Sequence, residues 1–494
     1  MKWAQFLHFY QPAEQQPDIL AAIVSQSYLP IITGLRRHKR ARATLNISGV
    51  LLELFDQYGY HNLIDLLRKL GQEGRVEFTG SAKHHAFLPF LEPAEMARQI
   101  ASNNETLRYY LDYVPRGFFP PEMGYAKKII PVLEALKFQW LILDEIALGG
   151  VVERVDYRKQ YRIRGSRLGV FFRERHVSNL IMSAVVRSVE SLENVITADQ
   201  KTDRYLLTAM DGETFGHHRP GLEKMLLEIF ASPRFDLITV SEIAKYYPEI
   251  VEVEPVSSTW ASSEQDITLG RQFISWADPE NPIHAWQRAL TDLALNEVYE
   301  MSRKRSDYSG VRQAMDAALA SDHFWWASAK PWWSVEMIEL GAFRLLKIIR
   351  TIPGVTQKKV RAAVDLYEKI VSTAFDWQRR GKIREMMRAR NIAYRIPFKE
   401  RTWGLGGVGG ATYRAFLDMM HTLEKKAADK GEYEKAILWR DAVWRIENKN
   451  DIYEAINAID LLRKEIPNEE IEAIINKYRA KYKALRGGQP EDRT

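Results

Sequence analysis

Short apolar runs alternate with longer amphipathic stretches through the first half of the chain. Stretches such as Leu51–Leu70 and Pro93–Tyr113 carry apolar residues at helical spacing, whereas the short runs are typical of buried strands. The predicted strands are Trp3–His8, Thr44–Ile47, Val76–Thr79, Gly117–Phe119, Trp140–Leu143, Leu180–Ala184, Tyr205–Met210 and Leu237–Val240. This alternation predicts a repeated βα unit, and therefore an α/β fold with a parallel sheet.

Polar residues gather at or just after the ends of these predicted strands. They are His8, Gln11, Asn46, Glu77, Glu122, Asp144, Glu145, Asp211, Glu213 and Glu242. In parallel β/α folds, ligands bind at the carboxyl ends of the strands. The pattern therefore predicts a barrel-like sheet with a functional site at one rim.

The character of the chain changes near residue 285. The segment near 252–283 looks irregular, with prolines and clustered Ser, Asp and Trp, and the chain beyond it is rich in helix-forming residues. The predicted helices there are His284–Met301, Val311–Ala320, Val335–Ile349, Gln357–Arg379, Tyr413–Asn448 and Asp451–Tyr482. We expect a barrel domain over residues 1–285, with the irregular segment at its site, and a helical region over residues 286–494.

Composition narrows the functional classes. Of the 494 residues, 46% are hydrophobic and 27% are charged, which excludes extensive disorder. The formal net charge is +6 and the basic residues are dispersed, so we expect no nucleic-acid partner. The chain has no cysteine, which excludes disulfides, thiolate metal sites and cysteine nucleophiles. Its chemistry must therefore rest on carboxylates, histidines or hydroxyls.

Targeting and cofactor signals are weak in this sequence. The N-terminal MKWAQFLHFYQPAEQ lacks the features of a signal peptide, and no stretch approaches the ~20 uninterrupted apolar residues of a membrane span. We expect a cytoplasmic location and no membrane association. Gly404–Gly409 matches the dinucleotide glycine pattern, but charged residues rather than an apolar strand precede it, so a flexible loop is the better interpretation. No cofactor is predicted.

Acidic residues at two strand ends are candidate catalytic groups. In Asp211-Gly-Glu213, the two carboxylates project to the same side if the extended backbone continues past Met210. Glu122 lies between an aromatic–proline segment and a glycine, which restrains its backbone. Both have structural alternatives: solvated acids in a turn for the first pair, and a helix N-terminal acid for Glu122.

Histidines and tryptophans extend the candidate site. His8 and Tyr10 share one side of the first predicted strand, and paired histidines, 84 and 85, follow Glu77. Imidazole and carboxylate suit zinc, but no compact ligand pair is present, so binding of a polar ligand is the more economical interpretation and no metal is predicted. Four tryptophans between residues 325 and 333, together with Trp260, favour a groove for ligands with flat, weakly polar faces, such as sugar rings.

Four segments, taken together, resemble the signature regions of family 57 glycoside hydrolases, the α-amylase and glucanotransferase group. The segments are His8-Phe-Tyr-Gln-Pro12, Gly74-Arg-Val-Glu-Phe-Thr-Gly-Ser81, Phe119-Pro-Pro-Glu-Met-Gly-Tyr125 and Met210-Asp-Gly-Glu-Thr-Phe-Gly-His217. The resemblance covers roughly residues 1–220. It implies an incomplete, seven-stranded (β/α) TIM-like barrel followed by an α-helical C-terminal region.

The same resemblance implies roles for individual residues. The family's nucleophile falls on Glu122 and its acid/base on Asp211, in an enzyme that acts on α-glucans with retention. The resemblance implies that His8, Gln11, Glu77 and Glu213 line the same site, and Trp260 and Asp322 lie in segments that resemble later regions of the family. With Tyr10, His85 and His217, these are the predicted substrate-binding residues. Tyr10 departs from the pattern, because many members carry a second histidine there. The helical region is expected to complete the substrate groove.

Three alternatives stay open at this point. One is a metal-dependent carbohydrate hydrolase or deacetylase that uses His8, His84 or His85, Asp211 and His217. Another is a glucan-binding protein without turnover. The third concerns hydrolysis against transfer or branching within the family. The sugar, the linkage and the oligomeric state do not follow from the sequence.

Overall fold

The computed structural model describes residues 1–304, 308–329, 332–390, 410–448 and 452–485, so the predicted loop at Gly404–Gly409 lies outside the described residues. The strands in the described part are β1 (Lys2–Phe9), β2 (Ala43–Ile47), β3 (Val76–Gly80), β4 (Gly117–Phe118), β5 (Trp140–Asp144), β6 (Gln160–Ile163), β7 (Gly169–Arg173), β8 (Tyr205–Asp211), β9 (Asp236–Ile238) and β10 (Ile250–Val253).

The helices in the described part are α1 (Pro17–Ile23), α2 (Leu29–Arg37), α3 (Gly49–Gln57), α4 (His61–Gln72), α5 (Pro93–Leu111), α6 (Ile129–Ala135), α7 (Arg175–Met182), α8 (Val189–Gln200), α9 (Leu222–Ala231), α10 (Ile243–Tyr246), α11 (Glu264–Thr268), α12 (Pro282–Lys304), α13 (Ser309–Ala318), α14 (Asp322–Trp325), α15 (Val335–Thr351), α16 (Gln357–Arg380), α17 (Lys382–Arg390), α18 (Gly410–Asp429), α19 (Tyr433–Asn448), α20 (Ile452–Glu465) and α21 (Asn468–Leu485). Three of the predicted helical stretches are each split into two helices. Gly59 follows α3 and Gly431 follows α18, both in the left-handed conformation, and Pro467 separates α20 from α21.

Seven parallel strands form the body of the sheet, in the order β7-β5-β4-β3-β2-β1-β8. At the outer side of β7, β6 pairs antiparallel and β10 pairs with β6, while β9 pairs with the start of β1. Within the described residues β7 and β8 form no ladder, although the Glu174 amide donates to the Leu207 carbonyl (2.8 Å). The sheet is therefore an incomplete (β/α)7 barrel, as predicted, and a helical region follows it.

One strand prediction is wrong, and three strands were missed. Leu180–Ala184 is not a strand, because α7 covers Arg175–Met182 and buries Val177, Leu180 and Ile181 at helical spacing. Strands β6, β7 and β10 were not predicted, since their arginines, glutamine and glutamate hide the apolar alternation.

Helices beyond the predicted boundary at 285/286 share one hydrophobic core with the strands. Phe118 and Leu141 of β4 and β5 belong to the same cluster as Leu290 of α12, Leu345 of α15 and Ala374 of α16. This first compact unit comprises Met1–Asn179, Ile196–Glu213 and Ile229–Arg384, so the predicted boundary falls inside it.

The second compact unit comprises Leu180–Val195, Thr214–Glu228 and Glu385–Thr494. Its core is built from α18 to α21, with Phe416, Trp439, Leu462 and Ile475 among its buried side chains. A buried ion pair joins Arg187 to Glu472 (2.7 Å) within this unit.

One helical stretch is long and apolar enough by composition to cross a bilayer. Pro17–Arg37 has 21 residues and a mean hydropathy of 1.4 although Asp18 and Gln26 interrupt it, and 50% of its apolar window is buried. A core helix passes the same test, and here Ser27 donates to the Gly212 carbonyl (2.8 Å) in the interior of the first unit. The cytoplasmic location and the absence of membrane and nucleic-acid partners stay predictions.

Candidate active site

The carboxyl ends of β1, β4 and β8 bring the two candidate catalytic carboxylates into one unit. Asp211 is the last residue of β8 and the register partner of His8 in β1, while Glu122 follows β4 in a single 3₁₀ turn. An added Cβ at Gly212 would lie 2.1 Å from the Phe9 ring, so only glycine lets the chain leave β8 beside β1.

Glu122 is held in an unusual backbone conformation. Its φ of 62° is in the left-handed region, as is that of Met123. This backbone conformation costs about 1–2 kcal/mol per residue and persists only where the surrounding structure imposes it. Trp260 supplies that fixation twice: its amide donates to the Glu122 carbonyl (3.2 Å) and its indole Nε1–H to Glu122 Oε2 (2.7 Å). The irregular segment therefore orients this carboxylate.

Three carboxyl groups at this rim are buried together. Burial raises the pKa of Glu122 to about 8, with the charge of Asp211 adding to the rise and the Trp260 indole opposing it. Burial also raises the pKa of Asp211, against the opposing charge of Arg173, and burial together with Asp211 raises the pKa of Glu213. Such a group retains protons near neutral pH, as acid–base chemistry requires.

Glu213 is held from the first helical stretch of the chain. The Tyr28 hydroxyl donates to Glu213 Oε1, and Gln11 Nε2 donates to the same oxygen (3.0 Å). Tyr28 ends a π-helical turn, Val24–Tyr28, that joins α1 to α2. Extended geometry does not persist past β8, because Gly212–Thr214 is a 3₁₀ turn, yet Asp211 and Glu213 still interact.

A chain of hydrogen bonds fixes the protons on two neutral histidines. Burial lowers the pKa of His8 to about 4 and that of His85 well below its ordinary value. Asn46 donates through Nδ2 to Thr79 Oγ1 (3.1 Å), so its Oδ1 accepts from His8 Nδ1–H (2.8 Å). The His8 Nε2 lone pair then accepts from His85 Nε2–H (3.2 Å).

His85 also lies beside the catalytic carboxylate. His85 Nε2 lies 3.8 Å from Glu122 Oε1, and its other nitrogen accepts from the Ser321 hydroxyl (3.1 Å). Tyr10 stacks on His85 with ring centroids 4.2 Å apart and donates to Asp322 Oδ2 (2.6 Å). The helical segment α14 thus reaches the rim through Asp322.

Residues 22–255 match the model of Glycosyl hydrolase family 57. This part of the chain belongs to that family. The resemblance inferred from the four motifs is confirmed.

Solved structures show the same fold at low sequence identity. A 4-α-glucanotransferase from Thermococcus litoralis matches with a TM-score of 0.55 and 18% identity, covering 71% of this chain and 58% of that one. A family 57-type branching enzyme from Pyrococcus horikoshii matches with a TM-score of 0.58 and 15% identity, covering 75% of this chain and 94% of that one. A curated α-amylase from Niallia circulans is 27% identical over 89 residues, which is 17% of this chain and 7% of the amylase.

Nine of the eleven predicted site residues meet in the first unit. Glu77 contacts other residues: it lies second in β3, and its carboxylate accepts from Thr44 Oγ1 (3.3 Å) and the Ser241 amide (2.9 Å). His217 lies in the second unit beside His218 and is half-buried. Substrate binding by these two residues stays a prediction.

Arg173 acts on the acid/base member of the pair, because its charge lowers the pKa of Asp211 against the effect of burial. The support of Glu122 is an uncharged indole instead. Because β7 was not predicted, no sequence signal pointed to Arg173 at its end.

Other supporting residues were also missed. Tyr28 lies outside the four motifs, and Ser321 directly precedes the predicted Asp322. Only folding brings the Tyr28 hydroxyl to Glu213 and the Ser321 hydroxyl to His85. Among the described residues, no group of three or more histidine or acidic side chains has an arrangement that could hold a metal ion.

Proposed function

We propose that this protein cleaves α-glucans with retention and passes the released glycosyl unit to water or to a sugar hydroxyl. The observation that carries the proposal is the buried pair of Glu122 and Asp211, on separate strands of a family 57 barrel, whose charges act on each other. Retaining and inverting glycosidases both use two carboxyls that flank one sugar, and the retaining mechanism is the one that the resemblance to family 57 implies.

In the first step, Glu122 attacks the anomeric carbon and Asp211 gives its proton to the leaving glycosidic oxygen. This requires an ionised Glu122 and a protonated Asp211. The pKa of Glu122, about 8, lies above that of Asp211, about 6, so the proton of the pair rests on Glu122 before substrate binds. The Trp260 N–H stabilises ionised Glu122, and the step begins once that proton has passed to Asp211.

In the second step, Asp211 removes a proton from water or from a sugar hydroxyl, which attacks the glycosyl–Glu122 ester. The anomeric configuration is restored and Asp211 is protonated again. The Tyr10–Asp322 pair, stacked beside His85, would bind substrate hydroxyls beside the reacting carbon. Exclusion of water decides between hydrolysis and transfer.

Product analysis tests the proposed function. The protein is incubated with maltooligosaccharides, amylose and pullulan, and the first products are analysed for chain length, branching and anomeric configuration. We expect α-configured products that are shortened, redistributed or branched. β-Configured products would overturn retention, and binding without turnover would select a glucan-binding protein.

Azide separates the two roles. With an activated α-glycosyl donor, Glu122→Ala should give a β-glycosyl azide, because azide replaces the nucleophile directly. Asp211→Ala should give an α-glycosyl azide, because azide attacks the glycosyl–enzyme ester. The reverse assignment of products would exchange the roles of the two residues. If neither variant reacts faster with azide than without it, the mechanism is contradicted.

A further inference from the structure

Asp144, at the end of β5, is a fully buried carboxylate that holds two arginines. Its Oδ2 accepts a hydrogen bond from Arg173 Nη1 (2.8 Å), and its Oδ1 forms an ion pair with Arg175 Nη2 (2.8 Å). The Ile146 amide donates to Oδ1 as well (3.1 Å). Asp144 and Arg173 are almost completely shielded from solvent, so the group is rigidly enclosed.

Arg173 connects Asp144 to the strand that carries the acid/base residue. Its Nε donates to the carbonyl of Ala209 (2.8 Å), two residues before Asp211 in β8. β7 and β8 form no ladder within the described residues, so this side-chain bond fixes the end of β8 at the open seam of the barrel.

Arg175 connects Asp144 to the segment that orients the nucleophile. Its Nη2 donates to the Trp260 carbonyl (3.0 Å) and its Nη1 to the Ser262 carbonyl (2.9 Å). Trp260 in turn donates from its indole and its amide to Glu122. The two carboxylates of the reaction are thus each held through one guanidinium group, and both guanidinium groups bind Asp144.

We propose that Asp144 is a positioning residue that sets the separation of Glu122 and Asp211 through Arg173 and Arg175. The expected effect of Asp144 on catalysis rests on the proposed function. Its expected effect on the positions of β8 and Trp260 rests only on the polar contacts described above. Asp144 touches no substrate. Its effect passes through the backbone of β8 and through Trp260.

Asp144 has an electrostatic role in addition. The charged or titratable groups that act on Asp211 or respond to it are Arg173, Glu122, Glu213 and Tyr28. Arg173 is the group that favours ionised Asp211, and Asp144 neutralises part of its charge. Without the Asp144 charge, the acid should lose its proton at lower pH.

Asp144→Asn tests the proposal. Whichever way the amide is turned, its NH₂ group faces one of the two guanidinium donors, so one of the two connections breaks. We expect faster backbone hydrogen exchange in the peptide covering residues 257–263. We also expect kcat to fall about 10- to 100-fold with little change in KM, and the alkaline limb of kcat/KM to move to lower pH.

Asp316→Asn is the matched control. Asp316 is also a largely buried aspartate between two arginines, Arg98 and Arg312, in the same unit. This variant should lose stability but keep the wild-type exchange of residues 257–263 and the wild-type pH profile. If Asp144→Asn shows only what Asp316→Asn shows, the proposal is overturned.

Two provisions keep the test decisive. If Asp144→Asn does not fold, Arg175→Lys takes its place, since lysine keeps the charge but cannot bind Asp144 and both carbonyls with one planar fork. Faster exchange over residues 257–263 is again expected, and unchanged exchange contradicts the proposal. If the wild type lacks turnover on every glucan, the proposed function fails, while the exchange experiment still reports on Asp144.

Discussion

Two buried groups of acidic residues in the first unit have opposite surroundings. Glu95 and Asp316 are paired with arginines: Arg312 bridges them (2.8 Å to each), and Arg98 donates to Asp316 (2.6 Å). Glu122 instead accepts from Trp260 and Glu213 from Tyr28 and Gln11, which are uncharged donors. Burial raises the pKa of these two carboxyls and of Asp211, on which the charge of Arg173 acts in the opposite direction. Both groups are enclosed, but only the first has its charge balanced.

The difference separates a structural from a chemical use of carboxylates. A buried acid paired with arginine holds elements together, here α5 and α13. An enclosed acid with neutral donors can take up and release a proton near neutral pH, at a cost in stability. The following variants test this contrast, from the largest expected effect to the smallest.

Loss of either catalytic carboxylate should have the largest effect. We expect Glu122→Gln and Asp211→Asn to lower kcat by about 10³-fold or more, because each removes a group that acts only in the transition state. Initial rates on the glucan found to be the substrate provide the measurement. Substantial activity in both variants would show that the active site does not lie at this rim of the sheet.

Breaking the balanced group should cost stability rather than activity. Asp316→Asn leaves Arg312 and Arg98 without one partner charge, and we expect a loss of about 3 kcal/mol in the free energy of unfolding. Urea unfolding at neutral pH measures it. A variant as stable as the wild type would show that the contrast does not rest on charge pairing.

Glu122→Gln should also stabilise the protein in a pH-dependent way. The pKa of Glu122 is raised from 4.5 to about 8 in the folded chain. Its contribution to the free energy of unfolding is therefore fully present below pH 4.5 and is lost as the pH rises through 8. The glutamine variant should therefore be more stable than the wild type at pH 9 and little changed at pH 4.5. Thermal unfolding across this range decides, and a gain independent of pH would contradict the burial argument.

The smallest effect is expected for Trp260→Phe. It removes the indole donor that lowers the pKa of Glu122 while keeping most of the aromatic surface. The pKa of the nucleophile should rise, so the acid limb of kcat/KM should move to higher pH, with a loss of about 10-fold in kcat. An acid limb that does not move would remove Trp260 from the control of Glu122.

The sequence predicts those parts of the site whose residues lie beside a strand. Glu122 and Asp211 follow β4 and close β8, where parallel folds place ligands, and the order of four motifs named the family. Arg173 and Tyr28 could not be found this way. The strand before Arg173 has no clear apolar alternation, and Tyr28 reaches Glu213 across 185 positions through a π-helical turn.

The same reasoning explains the outcome for the domains. Change of composition near residue 285 marks where strands give way to helices, but it does not show what the helices pack against. Leu290 and Leu345 complete the core that Phe118 and Leu141 begin, so the first compact unit continues to Arg384. Periodicity along a chain reports which face of a helix is apolar and not which surface covers it.

The central claim is that Glu122 forms a covalent bond to the sugar, and trapping that intermediate tests it most directly. A 5-fluoro-α-glycosyl fluoride slows release of the glycosyl unit, so the enzyme can be digested and the labelled peptide located by mass spectrometry. We predict one glycosyl group on Glu122 and none in Glu122→Gln. A label on Asp211 or Glu213, or turnover of substrate in a protein that is never labelled, would contradict the account.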